Sequence, residues 1–140
     1  MIEQENYMPE KFRIGHPAID VQHEVLFVFY HELMLSLQNA DDSYHLSDIF
    51  LGLGSYVLNH FKFEEDAMLA THYEQSAAHC EEHHLLKEKV AEFHNRFVSV
   101  KNMKEEHAIA QEIAVFLANW LEHHIAEVDK QLAHHLNQWQ

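Results

Sequence analysis

The stretch HFKFEEDAM, residues 60–68, sets a histidine and a glutamate four residues apart inside an otherwise apolar run. On a helix, residues i and i+4 lie one above the other on the same face. His60 and Glu64 therefore turn toward the side that the surrounding apolar positions mark for burial. That face continues upstream through Leu46, Phe50, Leu53 and Val57, and downstream to Met68. Burying an unpaired imidazole or carboxylate costs on the order of several kcal/mol. The pair is tolerable only if other groups in the core satisfy it.

Three more stripes at helical spacing flank this one. The first runs Ile19, His23, Leu26, Tyr30, Leu33, Leu37. The third runs His79, His83, Leu86, Val90, Phe93, Phe97, and the fourth Ile113, Leu117, Trp120, His124, Val128, Leu132, Leu136. Asn39, Ala40, Asp41, Asp42 and Ser43 read as a turn and N-cap cluster. A break is expected near residues 71–75. Asn102 with Glu105 three residues on has the form of a capping box. Pro9, Gly15 and Pro17 discourage a helix before the first stripe. The expectation is an all-α chain: an irregular N-terminal arm (residues 1–18), then one up-down-up-down antiparallel four-helix bundle (residues 19–140).

Composition narrows the functional classes. Only 3 Gly and 2 Pro among 140 residues argue against a turn-rich all-β fold. A net charge of −14 disfavours nucleic acid and an anionic membrane surface as partners. The single cysteine, Cys80, allows no internal disulfide and fits a reducing compartment. The start has no signal-peptide layout. The longest apolar run, residues 25–30, is far short of the roughly 18 residues of a membrane span. A cytoplasmic location is expected. The anomaly is 15 histidines spread through the chain.

Each stripe is interrupted by at least one histidine, and their depths agree. At about 1.5 Å rise per residue, His23 lies roughly 24 Å before the first turn and His60 roughly 24 Å after it. His83 is roughly 27 Å before the third turn, and His124 roughly 30 Å beyond it. Alternating helix directions bring all four to one end of the bundle, where His79 also falls. Asp129, five residues after His124, sits on the flank of its stripe and could reach sideways. A single H-x3-H or H-x3-E pair is usually a surface pair. The joint pattern on four seams is what a metal site between helices needs. The candidate ligands are His23, His60, Glu64, His79, His83, His124 and Asp129, too many for one tetrahedral zinc. They suit two metals sharing carboxylates. Mixed imidazole and carboxylate donors without thiolate suit iron among first-row metals.

With these residues in place the sequence resembles the hemerythrin family, in its bacterial form. The matching pieces are IDVQHEVLF (residues 19–27), HFKFEE (60–65), YEQSAAHCEEH (73–83) and WLEHHIAEVD (120–129). The resemblance covers nearly the whole chain. It implies two iron ions with an oxo or hydroxo bridge. His79, His83 and His124 would hold one iron, and His23 and His60 the other, which keeps an open position for dioxygen. Glu64 and Asp129 would bridge the pair. Phe61, Trp120, Leu121 and Ile125 match positions lining an oxygen pocket, although each is equally at home as ordinary core. Glu74 stands where relatives often carry a proline, and Phe12 takes the place of an early tryptophan.

The resemblance implies reversible dioxygen binding rather than catalysis, by a carrier or by the sensing domain of a signalling protein with a fused or separate output domain. The alternatives are a di-iron enzyme acting on peroxide, nitric oxide or dioxygen, and a metal-storage protein. Ferritin-like di-iron enzymes use two E-x-x-H motifs, and here only Glu81–His84 satisfies that spacing. Among the remaining histidines, His84 and His123 should point about 100° away from their ligand neighbours. His94 is expected to make a hydrogen bond in the core.

Overall fold

The computed structural model describes residues 8–38 and 43–139, and no strand occurs among them. The elements are a 3-10 turn (Glu10–Phe12), α1 (Pro17–Gln38), α2 (Ser43–Ala70), α3 (Ser76–Val98) and α4 (Met103–His123). A π-helical turn (His124–Asp129) continues α4 into α5 (Lys130–Gln138), so these three pieces make one rod. The four rods pack as a ring, each against the next and α1 against α4. Cross-contacts give their directions. Gln22 meets His60 while Phe29 approaches Gly52, so α1 and α2 are antiparallel. Phe50 stacks near Phe97 and Phe61 on His83, which reverses α3 against α2. Phe93 beside Phe116 and Glu82 beside His123 do the same for α3 and α4. This is the up-down-up-down bundle that the stripes predict.

Local signals account for the helix ends. Asn102 Oδ1 accepts the Glu105 backbone N–H at 2.9 Å, and Glu105 Oε2 accepts the Lys101 N–H at 3.1 Å, a capping box displaced by one residue on its return arm. The break after α2 is made by His72 at φ 54, the one non-glycine residue with positive φ among those described. The cluster at residues 39–42, expected to be a turn, lies outside the described residues, and for Ser43 only its place at the start of α2 is described. The first helix starts earlier than its apolar stripe suggests. Pro17 does not exclude a helix but opens one, since its fixed φ and missing N–H suit the first helical position. The His16 ring nitrogen accepts the Ile19 N–H, and the Asp20 carboxylate takes those of Ile14 and Gly15. These bonds fold the arm back onto the bundle, where Phe12 packs against Phe27 at 5.0 Å.

The apolar core is split. A large cluster runs from Leu46, Phe50 and Phe97 to Phe61, Leu121 and Ile125. A small one, Ile19, Met68 and Leu132 with Tyr73, Cys80 and Leu136 against it, closes the opposite end. Between them lies a layer of buried polar side chains. The cap at Asn102 is far from that layer and so isolates local helix energetics. Asn102→Ala should lower stability by about 1 kcal/mol in chemical denaturation and leave metal content unchanged.

Candidate metal centre

Seven polar side chains make the layer between the two clusters. His23, Glu64, His83, His124 and Asp129 are 0% exposed, and His60 and His79 are 2% exposed. α1 supplies His23, α2 supplies His60 and Glu64, and α3 supplies His79 and His83. The π turn supplies His124 and Asp129. That turn explains a spacing that helical periodicity leaves awkward. On an α-helix the fifth residue along is about 140° off the first. A π turn bonds i to i+5 and brings the two onto one face, so both are fully buried.

Every imidazole presents Nε2 to the middle. His23 Nε2 is 2.9 Å from Asp129 Oδ2, and His60 Nε2 is 3.4 Å from Glu64 Oε2. His79 Nε2 lies 3.3 Å from Glu64 Oε1 and 2.9 Å from Asp129 Oδ1. His83 Nε2 is 3.0 Å from Glu64 Oε1, and His124 Nε2 is 2.9 Å from Asp129 Oδ1. The donor atoms form two groups, each within 4.8 Å: Glu64, His79, His83, His124 and Asp129 in one, and His23, His60, Glu64 and Asp129 in the other. The two carboxylates belong to both groups.

Hydrogen bonding alone does not satisfy this cluster. His60 Nε2, His124 Nε2, Glu64 Oε2 and Asp129 Oδ1 are buried with no hydrogen-bond partner, despite the short distances above. They approach one another without aligning, as groups do when they face a shared point. Orphaned buried polar atoms of this kind are rare in native proteins, and cations at the shared points would satisfy them. The donor set therefore fits metal.

Electrostatics in the metal-free protein follow from the same contacts. Burial and Asp129 push Glu64 upward, but His124, His60 and His79 outweigh them and hold it below the usual carboxylate range. Burial opposes Asp129 too, and His124 with the neighbouring imidazoles still draws it well below its usual value. Burial lowers His79 and His124, yet Asp129 and Glu64 raise them to about 8 and about 10. His83 is lowered, because burial first, and then repulsion from His124 and His79, outweigh the upward pull of Glu64. Two imidazolium ions thus balance two carboxylates.

Of the four residues expected as pocket wall, two contact the layer directly. Phe61 stacks on His83 with ring centroids 3.8 Å apart, and Trp120 stacks on His124 at 4.3 Å. Leu121 and Ile125 are buried in the same cluster. Other histidines stay outside. His84 pairs with Glu88 on the surface. His123 bridges Glu82 and Glu127. His94 is not a core residue: it is exposed and stacks over Phe50 at 6.2 Å, while its neighbours Phe93 and Phe97 take the buried positions of this part of α3.

Sequence reasoning missed an outer layer. Gln22 Oε1 meets His60 Nδ1 at 2.5 Å, Glu65 lies 3.6 Å from His83 Nδ1, and Glu82 lies 3.6 Å from His124 Nδ1. The available signal was adjacency, since Gln22 precedes His23, Glu65 follows Glu64, and Glu82 precedes His83.

Comparison with known proteins agrees with the site. The family model for the hemerythrin HHE cation binding domain matches residues 15–136. A bacteriohemerythrin of Stenotrophomonas maltophilia is 28% identical over 134 residues, covering 93% of this chain and 83% of that protein. One from Clostridium acetobutylicum is 28% identical, covering 87% and 94%. A crystal structure of a leucine-to-phenylalanine mutant, 26% identical, superposes with a TM-score of 0.73 over 96% of this chain and 98% of that one.

The charge balance predicts how metal-free protein responds to pH. His79 and His124 stand above the ordinary 6.5, so their contribution is whole below pH 6.5 and fades as pH rises through about 8 and then about 10. For His79 alone this is roughly 2 kcal/mol. Glu64 and Asp129 are depressed, so their contribution is present above about pH 4 and lost below it. The urea midpoint of metal-free protein should fall between pH 6.5 and 9. A flat profile there would mean that these imidazoles are uncharged in the fold.

Proposed function

The chain belongs to the hemerythrin family, and from that premise we propose that it binds dioxygen reversibly at a non-haem di-iron centre. One observation carries the reading: two buried donor groups share both of their carboxylates. Shared carboxylates between two sets of imidazoles are what a bridged metal pair needs, and a single ion would leave one set unused.

In this reading His79, His83 and His124 would hold one iron, His23 and His60 would hold the other, and Glu64 and Asp129 would serve both. Bound iron supplies the reversible electron exchange that attaches and releases dioxygen. The chain's own residues set the conditions for it. The two carboxylates offset cationic charge that burial would otherwise forbid. The two-imidazole set has one nitrogen donor fewer, which leaves coordination room there. Phe61, Trp120, Leu121 and Ile125 form an apolar wall that limits water and proton entry, and so slows irreversible oxidation.

Burial favours a ligand-binding role over catalysis. Every one of the seven polar side chains is 2% exposed or less, so a diatomic can reach the centre more readily than a larger substrate. Carriage and sensing would use the same chemistry, and a sensor would couple it to an output domain. No helix among the described residues is long and apolar enough to cross a membrane.

The test is metal content followed by spectroscopy. Reconstituted protein should hold two irons per chain. After anaerobic reduction, admitting air should raise a visible charge-transfer band, and removing oxygen should abolish it. Two irons with no reversible band would sink dioxygen binding, and fewer than two would sink the di-iron centre itself. Fast turnover of peroxide or nitric oxide would favour the enzyme alternative.

A further inference from the structure

An imidazole that ligates through Nε2 carries its proton on Nδ1, and what that proton faces sets the ring's orientation and donor strength. The five Nδ1 atoms do not face alike. On the three-imidazole side, His83 Nδ1 is 3.6 Å from Glu65 and His124 Nδ1 is 3.6 Å from Glu82, outside hydrogen-bond geometry but close enough to feel each anion's charge, while His79 Nδ1 has no hydrogen-bond partner. On the two-imidazole side, His60 Nδ1 meets the neutral amide of Gln22, and no ion pair to His23 Nδ1 or His60 Nδ1 is found among the described residues.

The two outer carboxylates are themselves held. Lys87 Nζ is 3.9 Å from Glu65 Oε2. His123 Nε2 is 3.0 Å from Glu82 Oε1, and its other nitrogen is 2.7 Å from Glu127. The Glu65 and Glu82 side chains are only 29% and 30% exposed, so solvent screens them less than a surface charge. Behind the histidines, therefore, two carboxylates stand at the three-imidazole position, partly offset by Lys87 and His123, and among the described residues a neutral amide stands at the other.

We propose that Glu65 and Glu82 are positioning residues that act through His83 and His124 to make the three-imidazole position the tighter, first-filled member of the metal pair. Gln22 leaves the two-imidazole position the weaker one. This rests on the two-metal reading above, and the test separates the two ideas. An anion behind a ligating imidazole fixes the Nδ1–H tautomer and raises the basicity of Nε2. Removing such a partner typically weakens metal binding by about 10- to 100-fold.

The experiment is a cobalt(II) titration of the whole metal-free chain, followed by calorimetry and by visible absorption, which reports the coordination of each ion as it binds. Wild type should take up two ions in resolved steps. Glu82→Gln and Glu65→Gln should each weaken the first step about tenfold and leave the second unchanged. Gln22→Glu should tighten the second step by a similar factor, a gain that misfolding cannot mimic. Glu122→Gln removes the same charge from an exposed pair with Lys11, and should change neither step. Uptake of fewer than two ions by wild type would defeat the two-metal reading, and this inference with it. Two ions with steps indifferent to Glu82→Gln and Gln22→Glu, or shifted equally by Glu122→Gln, would overturn the positioning role alone.

Discussion

Two carboxylates, Glu64 and Asp129, sit at zero exposure in the middle of this bundle, and the rest of the architecture answers to them. Isolated buried carboxylates cost several kcal/mol each even after relaxation. Here each one meets imidazoles from several helices: Asp129 on the fourth rod is within 2.9 Å of His23 on α1 and His79 on α3. Helix register thereby becomes an electrostatic matter. Sliding any helix by one turn would move its histidine about 5.4 Å and strand a charge. Apolar stripes tolerate small slips, whereas this layer does not.

The same layer interrupts the core. Large apolar side chains fill the half toward the Asn102 cap, and among the described residues the smaller buried group of Ile19, Met68 and Leu132 closes the other end. The small end is tied by polar contacts instead. His135 reaches the Thr71 carbonyl and hydroxyl at 3.2 and 3.0 Å, and Asn137 reaches the Gly15 carbonyl at 3.0 Å. Its cohesion depends on the polar layer staying satisfied, so cations that satisfy the layer would strengthen the end with the fewest apolar contacts. Folding and metal uptake are then linked, as at other sites whose ligands converge only in the native state.

Much of this was legible before the structure. Apolar spacing gave four helices, and rise per residue put His23, His60, His83 and His124 at one level. Both are properties of periodicity, which a sequence displays directly. What escaped was backbone irregularity and adjacency. No propensity marks residues 124–129 as a π turn, so Asp129 read as a flanking residue although it is fully buried. Pro17 read as a helix breaker because its role depends on being the first residue of the helix. Gln22, Glu65 and Glu82 looked like ordinary polar neighbours of ligand candidates. Their relevance comes from which way the imidazole backs point, a three-dimensional fact.

Formal charge connects the inner and outer layers. Without metal, Glu64 and Asp129 are balanced by protons on His79 and His124. Two divalent ions would displace those protons and bring four positive charges to a place where the inner carboxylates offer only two negative ones. Glu65 and Glu82 offer two more, both behind the three-imidazole set. They offset part of the remaining positive charge, less fully than a bare carboxylate would because Lys87 and His123 lie beside them. The balance is uneven in space, however. In a two-metal site compensation would be concentrated at the three-imidazole position, and the other would keep more positive charge, with a neutral amide behind His60. That position has one imidazole fewer, so the asymmetry proposed to order metal filling would coincide with the one that leaves coordination room for a small ligand.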